Sequence, residues 1–492
     1  MSSARAGRLA ILVILPERRR WLWHDRLLRK LRRDHDVAVA TSPSRAYPLL
    51  LRAWLGYSAR KFIGAVKPVA CEPLPRLGEG RATSTAAEAD LIVDLSEGGA
   101  APDGPRVIRP LYEGSVDSLA LVARLIHHQC PYLELVDRDG AALVASFAAI
   151  EDKTLLGCGL AQAFVRIETM IVRACAGKAS PLPPRPARPT PRYRSVRMLA
   201  LAARLLAGEL VNPLRRSSIR HRHWNVALRW DPAPPALAGF DVDAWRPLEP
   251  DSAIFYADPF VIEEAGRYWL FAEACPYATG KGVIACAEYV PGQGPAPFST
   301  VIEQPYHLSY PFVLRSGGDI WLIPESSANG GLDFYRAAAF PSQWVLERRL
   351  FEDWRLVDAT LFEHDGRLWL LAGAIGDDGG SGWDELFAWH APGLEGPWTA
   401  HELSPIKSDC RGARPAGRVQ RIGGKLMRPA QRCERAYGEA LVWFEIRTLT
   451  ADRFEEVEVG EWRAAGEDVS GPHAADLSTP LQAIDFRSAL TI

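Results

Sequence analysis

The sequence predicts two fold classes in one chain: an α/β N-terminal domain and, behind it, an all-β five-bladed β-propeller. Three observations carry this. One short phrase is written four times between Asp258 and Met427. Ahead of it, residues 1–178 alternate strand-like and helix-like segments, the pattern of a small parallel α/β layer. Between the two lies a proline-rich stretch, residues 179–192, which cannot continue a helix or a central strand.

The repeats define the larger part. The copies read DPFVIEEAGRYWLF, YPFVLRSGGDIWLI, DATLFEHDGRLWLL and AGRVQRIGGKLM. They start at 258, 310, 358 and 416, so successive starts lie 52, 48 and 58 residues apart. Each is an apolar run, a turn carrying Gly and a second apolar run. Units of roughly 40–50 residues built from short strands predict propeller blades, because one such sheet cannot bury both its faces alone. Residues 331–351 and 385–403 supply outer strand pairs, with looser versions at 282–303 and 437–459. Four blades then span 258–459. A fifth assembles from both ends, residues 223–230 meeting 473–486, which closes the ring and removes free sheet edges. Trp269, Trp321 and Trp369 recur at one repeat position and read as packing between blades.

In the first domain, residues 9–15, 37–40 and 89–95 read as strands, and 21–33, 115–128 and 150–176 as helical. The apolar run at 9–15 is only seven residues long and is followed by Pro16 and an Arg cluster, so it reads as a buried strand rather than a signal peptide. No GxGxxG follows a strand, so nothing supports dinucleotide binding. Residues 196–211 carry Met198, Leu199, Leu201, Leu205, Leu206 and Leu210 at amphipathic spacing, flanked by arginines. Two readings stand for 192–222: a helix making peripheral contact with an anionic membrane, or a connector packed on a neighbouring domain. The domain plan is thus 1–178, a linker and helix at 179–222, and the propeller at 223–492.

Composition narrows the partners. A net charge of −1 on 492 residues argues against nucleic acid. No run approaches the ~20 apolar residues that cross a bilayer. Eight cysteines without a CxxC pair or metal-ligand spacing suggest reduced thiols, a cytoplasmic setting, and no metal or other cofactor.

The chemistry should lie where the inner strands begin, since equivalent first positions converge at one mouth of the channel. Those positions hold Asp258, Tyr310, Asp358 and Ala416. The inner hairpins of blades one and two end on Glu273 and Glu325. His307 precedes blade two, and blade four brings Arg414, Arg418, Arg428 and Gln431.

The run YADPFV, HLSYPFV, PESSANGG, VDATLFEHDGRLWLL, ARPAGR and RPAQ resembles the propeller-like N-terminal domain of the glucosamine inositolphosphorylceramide transferase family. More loosely, YADPF and the later carboxylates resemble five-bladed glycosidases of furanosides and pentosides. The resemblance covers about residues 223–490. Residues 1–178 loosely resemble a formyltransferase-like segment through ADLIVDLS. They lack the Asn-x-His phrase of that chemistry and read as non-catalytic. The resemblance implies a glycan, glycoconjugate or sugar nucleotide as partner, with glycosyl hydrolysis or transfer at paired carboxylates. By analogy Asp258 is base or nucleophile, Asp358 orients the sugar or tunes the acid, Glu325 is the proton donor and Glu273 its alternate. His307, Tyr310, Arg414, Arg418, Arg428 and Gln431 would contact substrate. The third repeat ends WLLAG, without a carboxylate. Two alternatives remain: acids that merely anchor turns, and arginines that lock them in a structural network. The latter suits a recognition module that accompanies a glycosyltransferase.

Overall fold

The computed structural model describes residues 8–19, 21–51, 88–98, 102–104, 106–153, 156–178, 182–183, 185–200, 222–249, 251–376, 379–464 and 469–489. The chain divides into two compact units, Met1–Ser217 with Asp377–Gly380 and Ser218–Gly376 with Ser381–Ile492.

The first unit is built on a six-stranded sheet, ordered Asp36–Ser42, Ala10–Pro16, Leu91–Asp94, Val107–Tyr112, Tyr132–Val136, Ala142–Phe147. The first four strands are parallel and the last two antiparallel. The wholly parallel layer expected from sequence is therefore only part of it. Residues 132–147 fold as a hairpin, its turn fixed by Asp137 Oδ1 accepting the N–H groups of Asp139 and Ala141. Helix Leu22–Asp34 buries Trp23, Leu27 and Leu31, helix Leu156–Cys175 buries Leu160, Phe164 and Ile167, and the two meet where Trp23 stacks on Phe164 at 5.2 Å. At the carboxyl ends of the parallel strands, where such sheets often bind ligands, Arg19 bridges Glu97 (2.7 Å) and Asp117 (2.6 Å) beneath Tyr47 and Ser118. Burial raises the Glu97 carboxyl above its usual range.

The proline-rich segment is tied to this unit. Arg185 pairs with Glu134 at 2.6 Å and Arg188 with Glu113 at 2.8 Å. Residues 195–200 are helical; the rest of the predicted amphipathic helix lies outside the described residues. Among the described residues no helix is long and apolar enough to cross a membrane.

The second unit is a five-bladed propeller. Blade one is Ile254–Glu264, Arg267–Pro276 and Val283–Val290 with two short edge strands; blade two is Ser309–Ser316, Asp319–Glu325, Leu332–Ala339 and Gln343–Leu350. Blade three begins Leu356–His364, Arg367–Ala374, Glu385–Ala391, and blade four is Gln420–Ile422, Lys425–Arg432, Ala440–Leu449, Phe454–Trp462. Blade five joins the two ends of the unit. Strand Leu481–Ala489 pairs antiparallel with Arg222–Trp230 along its whole length, from Leu481 opposite Trp230 to Ala489 opposite Arg222. Trp321 and Trp369 are buried in separate clusters, and Trp269 packs at the edge of the one that holds Trp321.

Candidate functional site

The first residues of the repeats owe their direction to one backbone device. Asp258, Tyr310 and Asp358 have φ of 50°, 45° and 52°, a left-handed region that non-glycine residues seldom occupy. The ladder slips at each: between Phe271 and Glu273, between Ser309 and Phe312, and between Val357 and Thr360. A bulge there turns the side chain out of the sheet pattern and toward the axis. The cost, about 1–3 kcal/mol per residue, is offset by bonds to the freed N–H groups. Asp258 N–H donates to Asp485 Oδ2 (2.8 Å), Tyr310 N–H to Asp258 Oδ2 (3.3 Å) and Asp358 N–H to Glu325 Oε2 (3.2 Å). Each acceptor belongs to the preceding blade, so the acids link the ring as they line it.

A second set comes from the far ends of the inner hairpins. Glu273, Glu325 and Gly373 face the residues just before Asp258, Tyr310 and Asp358. Gln431 and Asp485 hold the same place in blades four and five, bonding through N–H to Arg414 O and Ala474 O. Gly373 is the position where the sequence lacks a carboxylate. Its Cβ would sit 2.7 Å from both Gly382 O and Val357 Cγ2, so no side chain fits there.

The structure brings Asp258, Glu273, Glu325, Asp358, His307, Arg414 and Gln431 to one mouth. Arg414 pairs with Asp358 (Nε to Oδ2 2.6 Å) and approaches Glu325 at 3.6 Å. Gln431 Nε2 donates to Asp358 Oδ2 (3.1 Å), and Ser327 Oγ to Glu325 Oε1 (3.0 Å). His307 is exposed. Its Nδ1 accepts from Gly282 N–H, leaving Nε2 to face Glu273 Oε1 at 3.3 Å; that hydrogen bond raises the imidazole's pKa. Burial pushes the Asp258 carboxyl up to about 7, against the lowering pull of His473 and with help from Asp485, Glu273 and Glu325. Burial also raises Asp358, opposed by Arg414.

Three expected contacts lie elsewhere. Tyr310 is fully buried and crosses the channel, its hydroxyl bonded to Thr360 Oγ1 (2.7 Å) and accepting Gly417 N–H (2.7 Å). It fills the channel rather than facing the mouth. Arg418 bonds Asp476 and Val313 O, and lines a cavity of about 540 Å³ at the opposite, hairpin end of the inner strands. Arg428 is fully buried in blade four against Glu456 and Gly412 O. Arg428 and Gln431 lie three apart on one strand and so face opposite ways.

Two residues at the mouth were not anticipated from sequence. His473 Nδ1 meets Asp485 Oδ1 at 2.6 Å, and His473 Nε2 faces Asp258 Oδ1 at 3.5 Å. One carboxylate oxygen each of Asp258 and Asp485 and a His473 ring nitrogen lie within 4.8 Å of one another, and the His473 ring uses both nitrogens toward the two acids. Trp224 stacks on His473 at 3.8 Å, Tyr437 meets it edge-on at 5.4 Å, and Trp383 lies 5.3 Å from Tyr437. All three aromatics are half-buried. Gly438 (φ 57°) leaves room for this cluster, since a Cβ there would be 2.6 Å from His473 Cβ. The signal was a degenerate fifth phrase, HAADLSTPLQAID, which lacks the glycine turn of the others.

Fold and site together define a five-bladed propeller whose acids converge on one channel mouth. Residues 225–468 match the family described as "Glucosamine inositolphosphorylceramide transferase 1, N-terminal", the resemblance that the phrases predict. Glucosamine inositolphosphorylceramide transferase 1 of Oryza sativa subsp. japonica is 35% identical over 208 residues, 42% of this chain and 28% of the relative. The Arabidopsis thaliana protein of the same name is 34% identical over 208 residues, covering 42% and 27%. The matched part of the chain thus spans little more than a quarter of these relatives' length. Among solved structures, an exo-β-1,3-galactanase from Phanerochaete chrysosporium aligns at 15% identity over 46% of this chain and 56% of its own, with a TM-score of 0.35. Likeness at that level carries no argument about chemistry.

Proposed function

We propose that the propeller binds a glycan or glycoconjugate at the acidic mouth and acts on a glycosyl bond there, by hydrolysis or transfer. The observation that carries this is the meeting of Asp258, Glu273, Glu325 and Asp358 beside Trp224, Trp383 and Tyr437. Carboxylates and an amide suit sugar hydroxyls, and the half-buried rings suit the apolar face of a sugar. Asp258, with a pKa near neutral, is the acid–base group; Glu325 is the partner carboxyl. The names of the curated relatives agree with a carbohydrate role.

A second reading rests on Arg414, which holds Asp358 and reaches Glu325. A site whose acids are occupied by arginine recognises sugar, or lipid-linked sugar, without cleaving it, and would accompany a separate glycosyltransferase. One experiment separates the two. Wild type and Asp258→Asn are screened on a glycan array and against aryl glycosides and sugar nucleotides. Catalysis predicts turnover by wild type alone with binding retained in the variant. Recognition predicts binding without turnover in either. Absence of any glycan binding by the folded wild type overturns both.

A further inference from the structure

We propose that His473, anchored by Asp485, is a positioning residue that tunes the charge of Asp258: a charged imidazolium favours the Asp258 carboxylate, and a neutral ring favours its protonated form. This rests on the reading that the acidic mouth is the working site. The geometry is a chain. Asp485 uses both oxygens: Oδ2 accepts Asp258 N–H, while Oδ1 accepts from His473 N, His473 Nδ1 and Ala474 N. Asp485 therefore fixes the backbone of Asp258 and the ring of His473 at once. With Nδ1 committed, only Nε2 is left to face Asp258 Oδ1.

The ring has little freedom to turn away. Trp224 covers one face and Tyr437 packs edge-on, while His473 itself is 2% exposed. The charged groups that act on the pair are few. Asp485 and Asp258 favour imidazolium and Arg414 disfavours it. Asp485, Glu273 and Glu325 disfavour the Asp258 carboxylate. Burial lowers an imidazole, yet the two carboxylates raise His473 above its ordinary value. Two of the three members, His473 and Asp485, come from the C-terminal stretch that closes the ring with strand Arg222–Trp230, so closure of blade five also completes the site.

The test needs no sugar. The chain is labelled with ¹⁵N-histidine, the eleven imidazoles are titrated by NMR, and His473 is assigned from its loss in His473→Gln. The expected midpoint for His473 lies above the ordinary ~6.5. Asp258→Asn should lower it by about one unit, a tenfold loss of proton affinity, and Asp485→Asn by at least as much with loss of the downfield Nδ1–H signal. The other imidazoles report whether each variant is folded; if Asp485→Asn is not, Asp258→Asn alone decides. A purely structural His473 would titrate identically in wild type and Asp258→Asn, and that result overturns the inference. Failure on the glycan array with intact coupling would instead remove only the sugar reading.

Discussion

The two ends of the propeller channel are made by the same strands and differ in almost everything else. At the end where inner strands begin, bulged residues turn acids inward, and aromatic rings stand beside them. At the hairpin end, the same strands finish in glycine turns around a cavity of about 540 Å³, where Glu263, Glu363, Arg315, Arg421, Leu361 and Phe362 mix without convergence. Tyr310 closes the channel between them. The difference teaches that repetition alone does not make a site. The repeat supplies equivalent positions at both ends, but only the bulged end gives them a common direction.

Changes at the acidic mouth should therefore dominate. Asp258→Asn is expected to cut turnover about 10²–10⁴-fold, the usual worth of a general acid or base, with the circular dichroism spectrum unchanged. Next in size is Arg414→Met, which strands the buried Asp358 charge. Unfolding in urea should show a loss of about 3–5 kcal/mol, as for other broken buried pairs. Tyr310→Phe keeps the plug's shape but leaves the Gly417 N–H without its acceptor; the same assay should give about 1–3 kcal/mol. Smallest is Glu363→Gln at the hairpin end, exposed and outside the acid cluster, which should change stability by less than about 0.5 kcal/mol and leave glycan binding alone. A large effect of Glu363→Gln on glycan binding would break the contrast between the two ends.

Acidity sharpens the same contrast. Asp258 titrates at about 7 when folded and near 4 when unfolded, so between those values the folded chain binds the extra proton. Its contribution to stability is present at low pH and is lost as pH rises from about 4 to 7. Thermal melts across that window should show a steeper fall for wild type than for Asp258→Asn.

Much of this was readable in the amino-acid order, for physical reasons. A strand–turn–strand phrase must repeat if blades are to pack alike, so the inner hairpins and the positions of Asp258, Asp358, Glu273 and Glu325 stood out. Ring closure by both ends followed from the need to leave no sheet edge. The fifth phrase was illegible because it turns without glycine, which hid His473 and Asp485. The direction of the bulged residues depends on a left-handed backbone that the residue types do not announce. Arg428 was misplaced although strand alternation already set it opposite Gln431. In the first unit the strands of the hairpin at 132–147 were not read from the sequence, and only pairing reveals that the sheet changes from parallel to antiparallel.

The most direct test is the structure of the propeller with an oligosaccharide selected on the glycan array. The account predicts a sugar ring against Trp224, Trp383 or Tyr437, with a hydroxyl or glycosidic oxygen in hydrogen-bond reach of Asp258. A sugar seated instead in the hairpin-end cavity beside Arg418 and Phe362, with the acidic mouth empty, would contradict it.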